Sequence, residues 1–208
     1  MKLSNDTLSV LKNFGNINQG IYFKKGKVLK TVSSGKNILA EVTIAEEIPA
    51  NFGVYNLNEF LSVVSLHKDA PTFEFTDKCA VIVGNKGRSK TNYRFCEPTM
   101  LTVPPEKQLQ MPDPEISFDM TAEDFDWIMR SASVLGSPQI AIESNGTKVN
   151  IVTLDTSNDA AHTDALEICD GTGDKYKMIF KTENITKILP GPYTCLLYTS
   201  DAADDTPC

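Results

Sequence analysis

SNDTLSVLKNFGNI, residues 4–17, decides how the rest of the chain is read. Ser4, Asn5 or Asp6 can cap a helix by accepting a bond from a free backbone N–H. Leu8, Leu11 and Phe14 then recur at helical spacing, with Val10 and Ile17 flanking the same side. Lys12 falls off that stripe, toward solvent. Strand-like segments follow at 21–23 and 28–29, with the lysine-rich stretch 24–27 read as a hairpin turn between them. A turn signal at 33–37 precedes a strand over 38–44. A second, shorter helix is expected from Asn56. Asn56 and Glu59 have capping-box spacing, and Leu57, Phe60, Leu61 and Val64 form an apolar face. Strands at 72–75, 80–83 and 91–95 complete this round.

Residues 97–114 break the pattern with five prolines, Pro98, Pro104, Pro105, Pro112 and Pro114. Proline fixes φ and removes an N–H donor, so an extended connector is expected there. Beyond it the plan repeats. Thr121 and Asp124 form a second capping-box pattern, and Phe125, Ile128, Met129 and Ala132 make a helical stripe ending at Gly136. Strands at 139–143 and 148–154 flank Asn145-Gly146, a strong hairpin signal. A strand at 176–180 leads to a cap at Thr182 and a short helix carrying Ile185, Ile188 and Leu189. Both 54–61 and 180–187 pass from a strand through a polar cap into a short amphipathic helix. The reading is an α+β protein with one helix-led unit used twice. The expected boundaries are 1–97 for the first unit, 98–114 for the connector and 115–195 for an incomplete second unit. Residues 196–208 are expected to be a non-native tail.

The net charge of −7 at first argues against a nucleic-acid partner, but its distribution does not. Residues 1–40 hold seven lysines and one acid, Asp6, and residues 78–94 hold five bases and no acid. Residues 115–195 hold thirteen acids against six bases. Such segregation lets an acidic protein hold DNA on one face. Five scattered cysteines without a CxxC pair argue against a disulfide framework or a zinc site. No run of about 18 apolar residues is present to span a membrane, and no secretory leader is visible.

The opening MKLSNDTLSVLKNFGNINQGI and the segment VYNLNEFLSVVSL resemble the corresponding helices of the sliding clamps of T4-like bacteriophages. YRFCEPTMLTVPPE and PGPYT sit where that family has its domain connector and a late C-terminal turn. The resemblance implies the DNA clamp fold, with two similar domains, each placing two helices on antiparallel sheet. It implies a homotrimeric ring around duplex DNA that tethers the phage DNA polymerase and serves as a platform for other replication or late-transcription factors. It further implies loading by an ATP-driven clamp loader, no enzymatic activity or cofactor of its own, and residence in the cytoplasm of an infected bacterium. The family continues with further strands after the position where this chain reads LLYTSDAADDTPC, which is why the second unit is expected to be incomplete.

A clamp must hold duplex DNA without reading it, and diffuse lysine and arginine contacts to phosphate achieve this. The helix-borne candidates are Lys12, His67, Lys68, Arg130 and Lys187. Arg88, Lys90 and Arg94 on a predicted hairpin are candidates for the rim or a subunit interface. Leu101, Val103 and Pro104, with Pro192 and Tyr193, are candidates for a partner-peptide pocket. The alternative function is a DNA-binding accessory protein that grips DNA directly without a ring. Enzyme readings are weaker. Residues 84–90 are glycine-rich and basic but miss the GxxxxGK[ST] pattern, and 170–174 lack calcium-loop alternation. Asp155, Asp159 and Asp164, a conceivable metal-nuclease set, fall in a segment expected to be an irregular loop.

Overall fold

The computed structural model describes residues 1–67, 69–106, 113–114 and 116–198. The chain divides into two compact units, Met1–Lys107 and Gln108–Cys208.

The first unit opens with α1 (Asn5–Ile17), capped by the Ser4 hydroxyl, which accepts from the Thr7 N–H. β1 (Ile21–Phe23), β2 (Gly26–Val32), β3 (Leu39–Ile48) and β4 (Phe52–Val54) follow. The expected hairpin across 24–27 does not form. β1 pairs with β4, and β2 pairs with β3. Gly26 at φ +122° turns the chain out of β1's path, a conformation costly to residues with a Cβ. The Lys25 N–H meanwhile donates to Asn51 Oδ1 at 2.7 Å, tying this corner to the β3–β4 turn. α2 (Leu57–Ser65) is capped by Asn56, whose Oδ1 accepts from the Glu59 N–H. A three-stranded antiparallel sheet follows, β5 (Thr72–Phe75), β6 (Cys79–Gly84) and β7 (Ser89–Arg94), with β6 central. Leu11, Phe14, Leu57, Phe60, Phe73 and Ile82 bury the helix stripes against these strands.

Gly20 and Gly53 explain what residues 98–106 do. A Cβ on Gly20 would lie 2.6 Å from the Leu101 side chain, and one on Gly53 2.6 Å from the Cys96 carbonyl. After a 3-10 turn at Pro98–Met100, Leu101 packs back onto those two glycines. The start of the proline-rich stretch thus belongs to the first unit.

The second unit has β8 (Ile116–Met120) and α3 (Ala122–Leu135), then β9 (Gln139–Asn145), β10 (Lys148–Leu154), β11 (Asp164–Asp170), β12 (Lys175–Lys181), α4 (Thr182–Ile185) and β13 (Tyr193–Leu197). Thr121 and Asp124 form the full reciprocal capping box, and Gly136 closes α3 at φ +65°. The sheet order is β11-β10-β9-β12, with β13 paired separately to β8. Three expectations change here. β11 is a strand where none was expected, because its acidic, weakly alternating residues hide the pattern. Thr182 does not cap with its side chain; its hydroxyl donates to the Ser137 carbonyl, and α4 ends before Ile188. Leu196 and Leu197 extend β13 past the residue where the tail was expected to begin.

The N-terminus of α1 is held from outside. Glu46 on β3 accepts from the Thr7 hydroxyl at 2.6 Å and from the Ser4 backbone N–H. Burial pushes this carboxyl up, but the Thr7 and Ser4 hydrogen bonds outweigh it and hold it down to about 2. A depressed carboxylate stabilises the fold above its unfolded value, about 4.3, and that stability is lost as pH falls toward 2. Glu46→Gln should therefore cost about 1 kcal/mol at neutral pH, the size of a lost helix cap. It should also flatten the pH dependence of urea midpoints between about pH 4.5 and 2. An unchanged acid limb would refute this role.

Candidate nucleic-acid interface

α1 and α2 lie side by side because Gly15 lets them. A Cβ there would stand 2.6 Å from Asn58 Oδ1, so α2 approaches α1 at its one bare turn. The two helices border a groove of about 610 Å³ lined by Asn5, Leu8, Lys12, Asn58, Leu61, Ser62 and Ser65, together with the core residues Leu3, Val64 and Phe73. Lys12 is exposed along it. Asn58, Ser62 and Ser65 were not singled out from sequence, although their spacing, off the apolar stripe of α2, was the available signal. Ser62 and Ser65 turn their hydroxyls to the carbonyls of Asn58 and Ser62, at 2.8 and 2.7 Å. The groove thus mixes apolar residues with a polar edge, formed by Asn58, Ser62 and Ser65, and the charge of Lys12.

The other DNA-facing candidates fare differently. His67 is 6% exposed and its ring nitrogens have no hydrogen-bond partner among the described residues, so it is a buried residue rather than an exposed one. Lys68 lies outside the described residues. Arg130 is exposed on α3, where its Nε donates to the Asp126 carbonyl at 3.2 Å. Beside it Trp127 is half-exposed, with Nε1 donating to Asp164 at 3.2 Å. Lys187 is half-buried in the turn after α4 rather than on a helix.

Arg88, Lys90 and Arg94 are exposed at the β6–β7 hairpin, with Lys90 and Arg94 projecting from the same side of edge strand β7. None of the three makes an ion pair among the described residues. Asn85 and Lys86 both have positive φ at the tip, a tight turn that presents this charge outward.

The peptide-pocket candidates do not gather in one cavity of either unit. Leu101 is spent on Gly20 and Gly53. Val103 and Pro104 line a pocket of about 270 Å³ with Tyr22, Val28 and several lysines, and Lys24 there binds Glu106 at 2.9 Å. Pro192 is exposed, while Tyr193 lines an apolar groove of the second unit and donates to the Leu189 carbonyl.

Acidic residues are used structurally. Asp155 accepts from the Ser157 N–H and hydroxyl, which hold its carboxyl below the usual range. Lys148 bridges Glu167 and Asp170 at 2.7 and 2.9 Å. No cluster of three metal-ligating side chains occurs among the described residues, and no described helix is long and apolar enough to cross a membrane. The four described cysteines are free and half-buried.

Two units of one plan, each led by a capped helix and backed by antiparallel strands, define a DNA-clamp architecture. The solved structure of PCNA from Thermococcus kodakaraensis shares the fold, with a TM-score of 0.66 at 10% identity, covering 92% of this chain and 87% of that one. A family model for DNA polymerase processivity factors matches residues 4–99. The sliding clamp of Escherichia phage RB69 is 32% identical over 203 residues, covering 95% of this chain and 87% of that protein. The sliding clamp of Vibrio phage KVP40 is 29% identical over 191 residues, covering 89% and 85%. The chain belongs to the sliding clamp family of polymerase processivity factors.

Proposed function

We propose that copies of this chain close a homotrimeric ring around duplex DNA and tether a phage DNA polymerase to it. The observation that carries this reading is the family membership joined to the doubled helix-led plan. Lys12, with the polar residues of the α1–α2 groove beside it, supplies sequence-blind phosphate contacts, and Arg130 adds one from the second unit. Arg88, Lys90 and Arg94 serve the rim or the contact with the next copy. Val103 and Pro104 belong to the docking site for partner peptides. A separate ATP-driven loader opens the ring, the chain itself performs no catalysis, and it works in the cytoplasm of the infected bacterium.

Retention on DNA tests the ring. Loaded onto a nicked circle, the protein should stay bound at moderate salt and be lost when the circle is cut once. Equal, strongly salt-dependent retention on circular and linear DNA would instead mean direct gripping without a ring. Lys12→Ala should reduce the salt slope of DNA binding by about one.

A further inference from the structure

The solvent side of α3 carries a large aromatic side chain that packing alone does not explain. Phe125, Ile128 and Ala132 take the core side. Trp127 lies off that stripe and is 51% exposed. Its indole is nevertheless held in place, because Nε1 donates to Asp164 on β11 at 3.2 Å. An N–H bond lies in the ring plane, so it uses an edge of the indole rather than a face. No other described aromatic ring packs against it.

Arg130 is its neighbour on the helix surface, since side chains three positions apart stand about 5–6 Å from each other at Cβ. The Arg130 Nε donates to the Asp126 carbonyl at 3.2 Å, which anchors the guanidinium. Its two amino groups have no carboxylate partner among the described residues. A positioned aromatic ring beside an anchored, unpaired cation is the pairing that binds single-stranded nucleic acid: the ring stacks on a base and the cation meets phosphate. A duplex cannot use the ring in this way, because both faces of every internal base are already covered by stacked neighbours.

We infer that Trp127 and Arg130 form a stacking site for one unpaired base of single-stranded DNA, the indole taking the base and the guanidinium a neighbouring phosphate. This rests on the proposed reading of α3 as a DNA-facing helix and adds to it a preference that Lys12 and Arg130 alone cannot give, since phosphate contacts treat every base pair alike. Glu123 and Asp126 are exposed toward the N-terminal end of α3 and repel phosphate there, which directs the strand from Trp127 toward Arg130.

The chain has a single tryptophan, so its fluorescence reports this position alone. The probe is an oligothymidylate of about eight nucleotides, within the site size of such surfaces, titrated into the full chain at low salt. It should quench the emission to saturation. An abasic oligomer of the same length, which keeps the phosphates and lacks the bases, should leave the emission unchanged, and so should a blunt hairpin duplex. Trp127→Ala should weaken binding of the fluorescein-labelled oligothymidylate at least about fivefold, the low end for one stacked base, while Trp127→Phe keeps most of it. No quenching at saturating oligothymidylate overturns the inference without recourse to any variant, and so does equal quenching by the abasic oligomer or the duplex. Quenching by octalysine and not by the oligothymidylate would make Glu123 and Asp126 the recognising groups, which also overturns it. The nicked-circle experiment reads the ring separately: retention on circles without this quenching defeats the stacking site alone, and quenching without such retention defeats the ring alone.

Discussion

Gly84→Ala should destabilise the first unit by about 3 kcal/mol, at the upper end of overpacking costs. Gly84 ends β6, and its φ is ordinary, so the cost is steric rather than conformational. A Cβ there would stand 2.2 Å from His67 Nδ1, 2.5 Å from its Cγ and 2.8 Å from its Cβ. Because the root of the imidazole is itself too close, rotating the ring does not clear the methyl group. The strand end or the residue after α2 must move, and both anchor a close-packed core. Among the described residues His67 has no hydrogen bond to lose, so the conflict is one of volume. A double-mutant cycle checks this in urea unfolding. His67→Ala should recover at least about 1 kcal/mol of the Gly84→Ala loss, the coupling expected of touching residues. Full recovery is not expected, because the alanine keeps the 2.8 Å Cβ. Additive effects would show that the two residues do not compete for the same space.

His67 also marks where sequence reading stops. Histidine after an amphipathic helix, next to Lys68, has the look of a partial surface charge. Its burial depends on Gly84, seventeen positions on, and no local pattern announces a glycine that serves as a socket. The same limit applies to Leu101, whose partners Gly20 and Gly53 come from two distant turns. By contrast α1, α2 and α3 were legible because a cap and a 3.6-residue stripe are both local. The hairpin of β9 and β10 was legible because Asn145-Gly146 demands a positive φ, observed at Gly146 as +96°. Strand pairing was the weak point. Period-2 alternation predicts that a strand exists but not its partner, so β1 was joined to β2 when its hydrogen bonds go to β4. Among the candidate site residues, the exposure of Lys12 and Arg130 could be read because they lie off a helix stripe. Lys187 was misplaced with α4, which stops after four residues.

Phe60→Ala should have the largest effect of any single truncation in α2, about 4 kcal/mol. Phe60 is 3% exposed and joins α2 to the β5–β7 sheet by rings. It meets Tyr93 edge-on at 5.1 Å and Phe73 at 6.1 Å. Tyr93 in turn donates its hydroxyl to the Asn56 carbonyl at the start of the same helix. Removing the ring leaves a cavity enclosed by sheet and helix, which neighbours fixed in two layers cannot collapse to fill. The second unit supplies the contrast. Ile185 on α4 faces the open apolar groove and is only half-buried. Ile185→Ala should therefore cost about 1 kcal/mol or less, since little area leaves water when it is in place. With two compact units, unfolding should be followed by probes on each, not by one midpoint. Near-equal costs for the two truncations would sink this account, because it would mean the groove is closed in solution.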